Sequence, residues 1–174
     1  GSDLTMLKKC IGSVLKCTPN DFPISEIYIW HNGAENIDEI KRLCVDEFNG
    51  HPSFDICYLP SKENLGFGPA HNKVSDVANG RYFVMLNDDV EFKHYNWIQM
   101  LISELNDKVL QVGAKNSATN NRLSGNGGGY ASDGRINEYI EGTVLAMETD
   151  VALAYGPFDP LYAFACQEDS DLSL

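Results

Sequence analysis

Basic residues are scarce in this chain: 13 Lys plus Arg stand against 25 Asp plus Glu, a net charge of −12 over 174 residues. A nucleic-acid partner needs clustered cations to neutralise phosphates, so that class is excluded, and an anionic membrane surface fails on the same ground. An anionic ligand would need a cation between itself and the protein. Long apolar runs are missing too. None approaches the ~18 residues of a spanning helix, and no signal peptide is present. The five cysteines show no metal-like spacing, and their odd number argues against a full disulfide framework. Cys10, Cys44 and Cys57 fall among apolar positions, as buried thiols in a reducing compartment do. Internal repeats, linkers and low-complexity segments are absent. The length suits one domain, residues 1–174, with apolar content enough for a core.

Strand and helix patterns alternate along the chain. Leu4, Leu7, Ile11, Val14 and Leu15 recur at helical spacing ahead of Pro19. Residues 26–30 read as a strand closed by His31-Asn32-Gly33. Ile37, Ile40, Leu43, Cys44 and Phe48 outline a second helix stopped by Gly50, and residues 54–59 a second strand. The turn Asn64-Leu65-Gly66-Phe67-Gly68 opens a helix with Pro69 near its start, where a missing N–H costs nothing. A strand over 82–86, a helix from Trp97 to Leu105 and a short strand over 109–112 follow. The alternation predicts parallel βαβ units. Residues 114–135 break it: the stretch is polar and Gly-rich, with Ser132-Asp133-Gly134-Arg135 a hairpin turn, and so long a loop suits a flap over a ligand. Residues 144–147 resume a strand, Thr149 is placed to cap a short helix, and Gly156 to end it in a left-handed conformation.

The feature richest in chemistry is Asn87-Asp88-Asp89-Val90, set directly after the apolar run of 82–86. It delivers two adjacent carboxylates to the C-terminal end of a buried strand, where open α/β sheets bind ligands. Mg²⁺ or Mn²⁺ takes a few carboxylate oxygens plus substrate phosphates, and a rigid strand end suits it. A second acidic cluster, Glu168-Asp169-Ser170-Asp171, lies far downstream.

Three segments, in order, resemble glycosyltransferase family 2, its rhamnosyltransferase-like branch in particular. Asn64-Leu65-Gly66-Phe67-Gly68-Pro69-Ala70-His71-Asn72 resembles that branch's Asn-x-Gly-Phe-Gly-x-Ala-x-Asn turn. Leu86-Asn87-Asp88-Asp89 resembles its Leu-Asn-x-Asp variant of the DxD motif. Gly156-Pro157-Phe158-Asp159, Phe164 and Glu168-Asp169-Ser170-Asp171-Leu172 resemble its Gly-x-Phe-Asp…Phe…Glu-Asp-x-Asp-Leu block. The resemblance implies a GT-A nucleotide-sugar-binding fold, Rossmann-like, with a mixed, mostly parallel sheet flanked by helices. The family sets a central β-strand ahead of the first helix and continues beyond the Glu-Asp-x-Asp-Leu block. The expectation is therefore that the sequence is a piece of a longer protein.

The resemblance further implies a metal-dependent inverting glycosyltransferase. It would move a sugar, rhamnose from a dTDP donor as the best single choice, to the hydroxyl of a glycan or lipid-linked glycan. The setting would be cell-surface polysaccharide synthesis, on the cytoplasmic side, free or peripheral at the inner face of the membrane. Asp89 matches the residue that holds the Mg²⁺ or Mn²⁺ bridging the donor diphosphate, with Asn87 and Asp88 beside ribose, diphosphate or metal. Asp169 matches the catalytic base, which takes the proton of the attacking acceptor hydroxyl, and Glu168 would orient the acceptor or Asp169. Gly66 and Gly68, with Asn64 and Asn72, serve either turn structure or donor contact. The spacing is not the dinucleotide fingerprint. His31 stands where the family often has an Asp that contacts the donor's base; a surface histidine in a turn is the alternative. His71 and His94 read as ordinary polar positions. Tyr155, Phe158, Tyr162 and Phe164 read as core packing sooner than as a sugar platform. A non-catalytic nucleotide-sugar or glycan-binding module is the reading from a different class, and the oligomeric state is left open.

Overall fold

The computed structural model describes residues 4–19, 21–23, 26–33, 35–48, 54–113, 143–156 and 158–159. Helix α1 (Leu4–Cys17) buries Leu7, Cys10, Ile11, Val14 and Cys17, the face its spacing predicts. Strand β1 (Glu26–Asn32) runs parallel to β2 (Asp55–Ser61), in register from Glu26↔Asp55 to Asn32↔Ser61. Between them lies α2 (Ile37–Arg42), and the chain then passes into a π turn over Leu43–Glu47. The single helix expected up to Phe48 thus changes pitch, while Ile40, Leu43 and Cys44 all stay buried. Helix α3 (Phe67–Ser75) follows, then β3 (Tyr82–Leu86), α4 (Trp97–Ile102), β4 (Gln111–Gly113), β5 (Val144–Glu148) and α5 (Thr149–Tyr155).

β5 pairs antiparallel with both β3 and β4, giving the order β3-β5-β4. β3 and β4 are therefore parallel to each other, a βαβ unit with α4 as crossover and β5 inserted between its strands. The purely parallel expectation missed β5, because composition marks a buried strand without giving its direction. Val144 to Met147 are at most 3% exposed, as a central strand covered on both faces must be.

No ladder joins β1 to β3 among the described residues, yet the two strands share their layers. Ile27 packs in one cluster with Val84 and Leu86 under Val14 and Cys17 of α1. On the opposite face Tyr28 and Trp30 join Phe83, Met85 and Val74. The break falls centrally in the set, the position that the resemblance gives to a strand ahead of the first helix.

Two smaller expectations meet different outcomes. Gly156 ends α5 at φ 63°, in the left-handed region as expected. Thr149 caps nothing: its hydroxyl donates to Gly80 O at 2.5 Å, tying α5 to the start of β3. Cys10, Cys17 and Cys44 are buried free thiols, whereas Cys57, on a strand at the edge of its pair, is half-buried. Cys166 lies outside the described residues.

Candidate functional site

Helix α1 orients the site. Leu7 and Ile11, in its first half, pack with Ile29 near the end of β1, and Cys10 meets Asn87 O just beyond β3. Val14 and Cys17, in its second half, pack with Ile27 and Val84. Both strands consequently run against α1 and end at the same edge. That edge collects the turns after three strands: His31–Gly33 after β1, residues 62–66 after β2, and residues 87–90 after β3.

The acidic turn is held by its backbone. Asn87 N donates to Thr143 O at 3.1 Å, extending the β3–β5 ladder, and Val90 N donates to Asn87 O at 3.4 Å. Asn87 is half-buried, while Asp88 and Asp89 are exposed, and among the described residues no ion pair engages either. A fixed backbone carrying two solvent-facing carboxylates can take a hard cation. Among the described residues no three acidic, His or Cys side chains form a metal cage. Mg²⁺ and Mn²⁺ do not require one, since one or two carboxylates complete their shell with phosphates and water. Asp88 and Asp89 fit such an ion.

The Asn64–Asn72 turn is tied down at both ends. Asn64 Oδ1 accepts from Gly66 N at 2.9 Å. Asn32, at the end of β1, accepts from Leu65 N at 2.7 Å through Oδ1 and donates to Gly66 O at 3.0 Å through Nδ2. Gly66 has φ 83°, which a Cβ disfavours. Asn72 grips a segment 86 residues away: Nδ2 donates to Phe158 O at 2.7 Å, and Oδ1 accepts from Phe158 N at 2.9 Å. A Cβ on Gly68 would lie 2.9 Å from Phe158 Cβ. The described contacts of Asn64, Asn72 and Gly68 are thus those of turn structure and close packing. Asn32 was not anticipated from sequence, although an Asn following a strand and preceding Gly is a turn-former that could have flagged it.

Two histidines depart from their sequence reading. His31 is no surface residue: it lies inside β1 and is 8% exposed, with Nδ1 2.8 Å from Tyr58 Oη. Tyr58 Oη also donates to Ile37 O at 3.3 Å. With the phenolic proton on that carbonyl, His31 Nδ1–H must supply the proton of the shared bond, which leaves Nε2 as an acceptor. Burial, with Cys44 and Asp38 near, pushes the Tyr58 phenol up and keeps it a donor. His71 donates Nδ1–H to Phe67 O at 2.9 Å and meets the rings of Phe67 and Phe158 at 4.3 and 5.7 Å. Burial there pushes its imidazole down, against that hydrogen bond. His94 is exposed. Phe158, 2% exposed, packs as a core residue, as expected.

Glu168 and Asp169, with Tyr162, Phe164 and the stretch 114–142, lie outside the described residues. An open hollow of about 450 Å³, lined by Asn79, Arg81, Glu148 and Asp150 among others, sits at the N-terminal end of β3, remote from the acidic turn.

An α/β domain with strand ends gathered at one edge and an acidic turn upon it is the frame of a nucleotide-sugar-binding enzyme, and comparison bears this out. The mannosyltransferase PcManGT from Pyrobaculum calidifontis, solved with GDP-Man and Mn²⁺, superposes with a TM-score of 0.72 at 14% identity, covering 98% of this chain and 48% of that one. GalNAc-T7 with UDP, GalNAc and Mn²⁺ gives 0.72 at 18% identity, covering 99% and 37%. These likenesses establish the GT-A fold. The family model for glycosyl transferase family 2 matches residues 4–140, and the chain belongs to that family. A Drosophila melanogaster relative named for polypeptide N-acetylgalactosaminyltransferase 13 is 25% identical over 105 residues, 58% of this chain and 18% of the relative. The chain spans less than half the length of each of these proteins. No described helix is long and apolar enough to cross a membrane.

Proposed function

We propose that this domain is the donor-binding and catalytic part of a metal-dependent inverting glycosyltransferase. What supports the reading is the exposed Asp88-Asp89 pair at the carboxyl end of β3, on the edge where open α/β sheets take their ligands. Asp89 holds a divalent cation, Mg²⁺ or Mn²⁺, with Asn87 and Asp88 beside the ribose and diphosphate. When bound, that ion offsets the negative charge growing on the departing diphosphate. Asp169 is the base: it accepts the proton of the acceptor hydroxyl as the oxygen attacks the anomeric carbon from the face opposite the leaving group. Glu168 orients the acceptor or Asp169. His31 faces the donor's base. Its Nδ1–H is committed to Tyr58, so Nε2 suits a ring N–H such as thymine, uracil or guanine offers. Asn64, Gly66, Gly68 and Asn72 shape the turn that borders the donor.

For the donor, the three motifs favour rhamnosyl transfer from a dTDP sugar to a glycan or lipid-linked glycan, in cell-surface polysaccharide synthesis on the cytoplasmic side. GDP-mannose and UDP-N-acetylgalactosamine join the panel, since the solved neighbours are described with GDP-Man and with UDP and GalNAc. The test is nucleoside diphosphate release by the full-length protein with Mn²⁺, each donor and candidate acceptors. Asp169→Asn is expected to lower turnover by about 100-fold or more with donor binding retained, and Asp89→Ala to weaken Mn²⁺-dependent donor binding. Donor binding without turnover for every acceptor would make the domain a binding module instead.

A further inference from the structure

Residues 87–96 form no regular element, so their backbone groups must find partners elsewhere. Helix α1 supplies them in sequence. Cys10 Sγ donates to Asn87 O at 3.5 Å. Ser13 Oγ accepts from Phe92 N at 3.0 Å and donates to Cys10 O at 2.8 Å, using both its capacities. Cys17 Sγ donates to Phe92 O at 3.3 Å. One helix turn on, Thr18 Oγ1 accepts from Trp97 Nε1 at 3.1 Å. Residues 10, 13 and 17 share one helical face and are each at most 8% exposed. The segment that carries Asp88 and Asp89 is thereby laced along α1 on its way back from the sheet edge.

We propose that Cys10 and Ser13 are positioning residues for the acidic turn, fixing residues 87–92 so that Asp89 meets its cation at a set height above the sheet. The proposal rests on Asp89 being the metal residue. Thiol hydrogen bonds are weak, so Ser13 is the main fastening and Cys10 the lesser one. A ligand held through its own backbone responds to loss of that support, and removal of groups that orient metal ligands weakens affinity by about 10- to 100-fold. Ser13 acts one step further back, through the chain, and the lower end of that range applies.

The experiment uses the full-length protein, with Mn²⁺ and a nucleoside diphosphate as probes. Ser13→Ala should raise the Mn²⁺ dissociation constant by about 10-fold and speed hydrogen exchange at the Phe92 amide. Ser13→Thr, which keeps the hydroxyl, should restore most of both. Ile11→Val, on the same helix but outside the lacing, should lower stability and leave Mn²⁺ binding unchanged. Cys10→Ala carries the same test, with a smaller effect, where Ser13→Ala does not fold. Unchanged exchange at Phe92 in Ser13→Ala, or equal loss of Mn²⁺ binding in Ile11→Val, overturns the proposal. Unchanged Mn²⁺ binding in Asp89→Ala overturns the metal assignment instead, and the exchange measurement keeps the two failures apart.

Discussion

Gly68→Ala decides between two uses of a glycine that the sequence left level. The added Cβ would sit 2.9 Å from Phe158 Cβ and 3.3 Å from its Cγ. A Cβ is anchored to the main chain, so Phe158 can yield only by moving its backbone. Asn72 holds that backbone through both N–H and C=O, and the residue is 2% exposed. Overpacking of this kind costs about 1–3 kcal/mol. The better helix propensity of Ala returns at most about 1 kcal/mol, less in a first turn. The net expectation is a loss of about 1–2 kcal/mol, a fall in Tm of about 2–8 °C for a domain of this size. Thermal melts of the single variants and of Gly68→Ala/Asn72→Ala read it directly. Releasing the clamp lets Phe158 retreat, so the double variant should lose less than the sum of its parts, by about 0.5 kcal/mol or more. A Gly68→Ala protein that melts at or above the parent temperature refutes the packing account. If it also binds donor more weakly, the glycine is there for the ligand.

Two further variants test other parts of the edge. Asn32→Ala removes the acceptor for Leu65 N and the donor to Gly66 O. A loss of about 1–3 kcal/mol is expected, with donor KM rising more than kcat falls; steady-state kinetics that show the reverse would dissociate this turn from donor binding. His71 has a folded-state pKa below its ordinary value of 6.5. As pH falls below that value the unfolded chain takes up a proton that the folded chain refuses. Stability is therefore complete above the ordinary histidine range and declines on acidification. His71→Phe should flatten that decline in denaturant titrations between about pH 5 and 7; an unaltered slope would assign the acid sensitivity to other groups.

Local pattern served well wherever it states a demand that one segment can meet alone. The period of α1, the β-rich run of 82–86 and the left-handed stop at Gly156 are of this kind. Chemistry at strand ends was legible for the same reason: two carboxylates directly after a buried strand have nowhere to be but its edge. Direction was not legible. Val144 to Met147 are buried on both faces, and such a run satisfies a parallel or an antiparallel ladder equally. The burial of His31 was hidden as well, because its partner Tyr58 sits on the neighbouring strand, 27 residues on.

The asparagines of the turn show where the limit lies. Asn64 and Asn72 belong to one motif and carry the same amide, yet Asn64 bonds two residues away and Asn72 bonds 86 residues away. An amide offers a donor and an acceptor side by side, so it fits any backbone N–H and C=O presented together. Sequence can thus announce that a clamp is available while saying nothing of what it closes on. The partner follows only once α3 and α5 are packed and Phe158 is brought against Phe67 and His71. The consequence is mechanical. The turn of the donor edge and the start of the Gly156–Asp159 segment, which leads toward Glu168 and Asp169 in sequence, are fastened by a single side chain. Substitution of Asn72 should therefore disturb both ends of the motif order at once, even though Asn72 spends its amide on Phe158.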